Sequence, residues 1–207
     1  MSGGCEAAVH AARRFLSGMP QDWVMVKLDF SNAFNSLHRR AILEAIASQA
    51  PDLYRYCHAS YAAPSSLIFG EFEISSEEGI QQGDPLGPLL FCLCVQPLLE
   101  SIIAPLRIGY MDDFTLGGPA PMVAQAVEDV KRLGEPLGLM LNCSKCEIIE
   151  EHQTANQDVF RGFVSRGTSE ASLLGAPILI GKAMDDILLD RCSELARGMS
   201  RLSVGGT

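Results

Sequence analysis

Hydrophobic positions recur along the chain at two periods, and the switches from one to the other mark its elements. Residues 6–16 set Ala8, Ala12 and Phe15 on one side and Arg13 with Arg14 on another, which predicts a short amphipathic helix. Residues 22–30, DWVMVKLDF, lack helical caps and read as a central strand that is apolar on both faces. Ser31 is placed to cap the next element, a helix whose stripe runs through Phe34, Leu37, Ala41 and Ala45 and is widened by Ile42 and Ile46. Residues 66–74 alternate around Gly70 as a hairpin. Gly79 then opens GIQQGDPLGPLLFCLCVQPLLESII, a glycine-containing loop that feeds a buried helix. Pro88 suits the first turn of that helix, where its missing N–H is not needed, while Pro97 predicts a bend or interruption.

Residues 106–116 carry apolar positions on both sides of Asp112-Asp113, which predicts a tight hairpin with the acidic pair at its turn. A second amphipathic helix follows at 123–133, then loop and strand at 137–149, a short hairpin around Gly175 at 172–180, and a final helix at 184–202. This alternation predicts an α+β fold, a sheet with helices packed on one face. At 207 residues and 47% hydrophobic content the chain suits one well-buried core rather than two large ones.

Composition changes the picture in two places. Seven cysteines, an odd number with no secretory leader before them, point to reduced thiols in an intracellular protein, nuclear or cytoplasmic. The single C-x-x-C, Cys143 with Cys146, is assigned to packing because structural zinc needs four ligands and no second pair has suitable spacing. No apolar run is long enough to span a bilayer, so no membrane partner is expected. The net charge of −9 is unusual for a complete protein that grips a nucleic acid backbone, which ordinarily presents clustered Lys and Arg.

The chemistry is concentrated in carboxylates at the ends of apolar strands, at Asp29 and at Asp112 with Asp113. Converging carboxylates repel one another, and a cluster of them ordinarily holds metal ions. Magnesium suits such a set because it takes oxygen ligands and completes its shell with substrate phosphates. Taken singly, each Asp is better read as a solvated turn residue. Met184-Asp185-Asp186 repeats the triplet at 111–113 with no strand before it, and is read as the start of a helix without catalytic duty.

The ordered set of motifs separates these readings. KLDFSNAFNSLHR at 27–39, GIQQGDPLGPLLF at 79–91, YMDD at 110–113, GLMLNCSKCEI at 138–148 and LLGAPI at 173–178 resemble, in order, those of the reverse transcriptases of non-LTR retrotransposons. The resemblance covers nearly the whole chain. It implies a polymerase palm, a ferredoxin-like antiparallel sheet with helices on one face, and an RNA-directed DNA polymerase that adds deoxynucleoside triphosphates to a DNA primer on an RNA template. Two Mg²⁺ ions, or Mn²⁺ in their place, are implied as cofactors. By matching position Asp29 and Asp112 resemble the principal metal ligands, Asp113 a supporting one, and the Phe30 carbonyl a further one. Phe34 resembles the aromatic gate that rejects a 2′-OH, Gln82 and Gly83 the loop against nucleotide and template, and Lys145 the lysine that protonates departing pyrophosphate. Leu174, Gly175 and Ala176 resemble the hairpin that steadies the primer end. Each has a plain alternative: Phe34 as a core residue, Gly83 as a turn, Lys145 as a surface lysine, and 174–176 as an ordinary glycine turn.

The resemblance also implies a division into 1–20 as a residual connection between fingers and palm, 21–182 as palm, and 183–207 as the start of a thumb or a C-terminal helix. Met1-Ser-Gly-Gly reads like the middle of a longer protein, and the fingers and thumb are expected to be largely missing. Asn32 stands where some relatives carry a carboxylate. The competing function class is a catalytically inactive retroelement remnant that acts at most as a binding or structural protein; the acidic charge and missing parts favour it, the intact motifs favour the enzyme.

Overall fold

The computed structural model describes residues 3–151 and 158–204, with side chains as far as residue 197. Met1, Ser2 and the last three residues of the 183–207 segment lie outside the described residues. The chain runs through α1 (Gly4–Ser17), β1 (Trp23–Leu28), α2 (Ala33–Ser36), α3 (Arg39–Gln49) and α4 (Tyr54–Tyr61) to a hairpin of β2 (Ser65–Phe69) and β3 (Phe72–Ser76). It continues through α5 (Gly87–Ser101), β4 (Leu106–Tyr110), β5 (Asp113–Pro119) and α6 (Ala120–Gly134). The remainder holds β6 (Glu147–Ile149), β7 (Val164–Arg166), a hairpin of β8 (Ser172–Leu173) and β9 (Ala176–Pro177), and α7 (Lys182–Val204).

One five-stranded sheet, in the order β4-β5-β1-β6-β7, organises these elements. β1 is central as its sequence predicts, antiparallel to β5 on one side and to β6 on the other, and among the described residues only β6 and β7 run parallel. Strand alternation sends Val24, Val26 and Leu28 into the larger core, where they meet Ile42, Leu90, Phe91, Val127 and others from the helices. Met25 points the other way and packs with Ala8, Ala12 and Leu16 of α1 and with Leu173 and Ile178 around the β8–β9 hairpin. α3, α5 and α6 thus form the expected helical layer, and α1 with one hairpin closes the second face.

Three local expectations fail for physical reasons. The single helix predicted after β1 is two, because the backbone at its middle is bonded elsewhere. Ile80 and Gly79 donate their N–H groups to the carbonyls of Phe34 and Leu37, at 2.8 and 3.1 Å, and His38 N–H goes to Leu137 O at 2.9 Å. Leu37 is therefore extended, with ψ 122, between α2 and α3. Ser31 does not cap either helix; Asn32 holds that place at φ 49 without a side-chain cap, and Ser31 N–H bonds to Met140 O instead.

Of the bend or interruption predicted at Pro97, the interruption does not occur, since α5 runs through it from Gly87 to Ser101. Proline removes the N–H that would have bonded to Leu93, four residues earlier. The Gln49 side-chain amide takes that carbonyl at 2.9 Å, so the helix continues without an orphaned acceptor. Pro88 lies in the first turn as expected.

Candidate active site

The acidic residues meet at one end of the sheet because two strands deliver them there. Leu28 pairs with Phe114, so Asp29 and Asp113, each one residue nearer the same end, are neighbours across β1 and β5. Asp112 sits in the two-residue turn that joins β4 to β5, beyond the closing pair Tyr110 and Asp113. Met111, the other turn residue, has φ 55, a left-handed conformation costing roughly 1 kcal/mol in an L-residue. Partial desolvation, then the neighbouring Asp112 charge, raises the Asp113 pKa above the ordinary carboxyl value; Lys27 opposes the shift and Asp29 adds to it. The carboxylates therefore sense one another.

The backbone of Asp29 is held on both polar groups. Asn142 N–H donates to its carbonyl at 2.8 Å, while its own N–H donates to the Cys146 sulfur at 3.4 Å. The Cys146 thiol lies 3.7 Å from the same carbonyl as a donor, and burial pushes it up to about 11, so it remains S–H at neutral pH. Phe30 follows with its ring buried edge-on against Phe114 at 5.2 Å and its backbone bridged to Leu141. The strand end that carries Asp29 is braced from behind by the 140–146 segment.

In front lies a cleft of about 440 Å³ whose lining includes Asn32, Phe34, Gln82, Gly83, Pro88 and Asp112. The Phe34 ring stacks on buried Phe91 at 4.5 Å, and the residue also lines the cleft. Gly83 stands at φ +89 with open space where a Cβ would point, so it needs glycine for its backbone and leaves the cleft clear. Behind it, a Cβ on Gly79 would strike the Asn35 backbone, which binds the loop closely to the α2 segment.

Asp29, Asp112 and Asp113 share one end of the sheet, Asp112 lining the cleft, and their carboxylate oxygens suit a hard divalent cation in chemistry and charge. Among the described residues no three acidic, histidine or cysteine side chains are gathered closely enough to hold a metal ion. The donors are adjacent without forming a preset cage.

Residues 4–178 match the family model described as reverse transcriptase (RNA-dependent DNA polymerase). The chain belongs to the reverse transcriptase family. It is 28% identical over 137 residues to the retrotransposable element SLACS 132 kDa protein of Trypanosoma brucei gambiense, covering 61% of this chain and 12% of that protein. It is 32% identical over 142 residues to the Pol polyprotein of the type-2 retrotransposable element R2DM of Drosophila melanogaster, covering 59% and 13%. Both relatives are retrotransposon proteins, which supports the non-LTR placement, and this chain spans about an eighth of their length. Apo telomerase from Candida tropicalis superposes with a TM-score of 0.53 at 16% identity, covering 70% of this chain and 32% of that one. Telomerase from Candida albicans in complex with a fragment of telomeric RNA gives 0.54 at 15%, covering 75% and 32%. These likenesses establish the polymerase palm-type fold.

Not every expected residue of this reverse transcriptase domain reaches the cleft. Lys145 is exposed in the turn after Asn142, on the segment that holds Asp29. Leu174 and Gly175, at φ 50 and 76, form the β8–β9 turn, which packs with α1 and Met25 on the second face of the sheet and does not line the cleft. Met184-Asp185-Asp186 lies in the first turns of α7, as its lack of a preceding strand implies. Sequence reasoning treated Cys146 as packing alone and passed over Asn142; the only available signal was their place in GLMLNCSKCEI.

Proposed function

We propose that this domain is the palm of an RNA-directed DNA polymerase that extends a DNA primer on an RNA template with deoxynucleoside triphosphates. The observation that carries the reading is the meeting of Asp29 with the Asp112-Asp113 turn beside a cleft walled by Phe34, Gln82 and Gly83. Residues 21–182 make up the palm in this reading, 1–20 its connection to the fingers, and 183–207 the beginning of a thumb or C-terminal helix.

Asp29 and Asp112 hold the cofactor, with Asp113 and the Phe30 carbonyl in support. Mg²⁺ held there would supply activation of the primer 3′-hydroxyl and stabilisation of the leaving pyrophosphate. The brace on Asp29 fixes one carboxylate while the β4–β5 turn presents the others. Phe34, backed by Phe91, offers a ring that cannot retreat from the sugar, so a 2′-hydroxyl meets it and a deoxyribose does not. Gln82 and Gly83 lie against the nucleotide and template, where the open space at Gly83 admits close approach of the backbone. Lys145, exposed on the segment that braces Asp29, donates a proton to departing pyrophosphate only by extending its flexible ammonium beyond the cleft lining. Leu174, Gly175 and Ala176 steady the primer end.

Single-nucleotide extension of a DNA primer annealed to RNA, with Mg²⁺ present, tests the proposal. The wild-type chain is expected to extend and the Asp112→Asn, Asp113→Asn double variant to fail. A folded wild-type chain that extends nothing supports the inactive remnant instead.

A further inference from the structure

The wall of the cleft opposite the α2 segment is a single β-turn, Gln81 to Asp84, with Asp84 N–H bonded to Gln81 O at 3.2 Å and Gly83 in the third position at φ +89. Gln82 and Gly83 are its tip. One oxygen pins both of its ends. The hydroxyl of Tyr61, at the end of α4, donates to Asp84 Oδ2 at 2.5 Å and accepts the Gln81 N–H at 3.3 Å. The other Asp84 oxygen accepts Leu86 N–H at 2.8 Å, so the same carboxylate ties the turn to the start of α5.

Tyr61 is itself fixed. It is 2% exposed, and the Arg39 guanidinium lies 5.6 Å from its ring centre. Arg39 is 5% exposed and donates to Gly79 O at 3.2 Å and to Ser76 O and Oγ at 2.8 Å each, which holds the chain just before the turn. Burial first, and the bond to Asp84 second, moves the Tyr61 hydroxyl well above the ordinary tyrosine range, so it stays a donor.

From this geometry we infer that Tyr61 and Arg39 are positioning residues for the nucleotide: they act through Asp84 and Gly79 to hold the turn that carries Gln82 and Gly83 in its cleft-forming shape. The inference rests on the reading of the cleft as a nucleotide site. A half-buried phenol–carboxylate bond joining residues 23 positions apart is stronger than a neutral hydrogen bond, and its loss releases the turn without removing core volume. Tyr61→Phe deletes only the oxygen.

Amide hydrogen exchange of the full chain, wild type against Tyr61→Phe, gives a readout independent of catalysis, and Asp84→Asn attacks the same bond from the other side. Both variants are expected to speed exchange at Leu86 and Gly87 by about tenfold, with β1 and α6 unchanged, as befits local opening. In primer extension, Tyr61→Phe is expected to raise the KM for deoxynucleotide about tenfold with kcat within about twofold, the pattern of lost ground-state binding. Wild-type exchange rates at Leu86 and Gly87 in both variants overturn the inference, as does acceleration spread evenly over the molecule. Local acceleration in a wild-type background that extends no primer leaves the tether standing and refutes the polymerase reading alone.

Discussion

Two hairpins of equal ladder length have opposite fates in this domain. β4–β5 and β2–β3 each pair five residues across, from Leu106 with Gly117 to Tyr110 with Asp113, and from Ser65 with Ser76 to Phe69 with Phe72. β5 pairs again with β1 and buries Phe114, Thr115 and Leu116, whereas Ile68, Phe69 and Phe72 on the other hairpin remain 83%, 74% and 72% exposed. Cross-strand pairing alone therefore does not build a site. The β4–β5 turn holds its acids in place because both of its strands belong to a five-stranded sheet packed on both faces, while a lone two-stranded hairpin is marginal.

The comparison breaks first on activity. Asp29→Asn or Asp112→Asn is expected to slow primer extension at least about a thousandfold, roughly 4 kcal/mol of barrier, while Glu71→Gln at the tip of β2–β3 changes it little. Stability separates the hairpins next. Leu116→Ala should cost about 2–5 kcal/mol in denaturant unfolding, and Ile68→Ala less than about 0.5 kcal/mol. An equal cost at both positions contradicts the contrast.

A smaller effect sharpens it at the brace. Cys146→Ala leaves the Asp29 N–H without its sulfur acceptor and is expected to slow extension about tenfold, with partial recovery in Cys146→Ser, whose hydroxyl both donates and accepts. The weakest effect is on pH. Asp113 has a raised pKa in the fold, so the folded state binds its proton more tightly than the unfolded chain does. Its stabilising contribution is present in acid and is lost as pH rises from about 4 through the raised value. The melting midpoint of the metal-free protein should fall across that window, and Asp113→Asn should flatten the fall.

Much of this was legible because periodicity reports burial. The run at 22–30 is apolar at successive positions, which places it at the centre of a sheet, and the acidic pair flanked by apolar residues places itself at a turn. The break at Leu37 and the continuity through Pro97 were not legible. Both depend on bonds from distant residues, Gly79 and Ile80 in one case and Gln49 in the other, that local propensity does not encode. α4 was missed for a related reason: in YRYCHASY only Cys57 and Tyr61 are buried, too few to show a stripe. Tyr61 nevertheless holds the wall of the cleft. At the site, motif order placed the acids, Phe34, Gln82 and Gly83 together, but could not show that Cys146 and Asn142 grip the Asp29 backbone.

The central claim is that Asp29 and Asp112 form one cation site at the end of the sheet, and thermal unfolding with and without millimolar Mg²⁺ tests it on this chain alone. Binding to the folded state raises the midpoint, so the wild type is expected to respond to Mg²⁺ and both Asp29→Asn and Asp112→Asn to lose the response. A wild type indifferent to Mg²⁺, or variants that respond as fully as it does, would contradict the account.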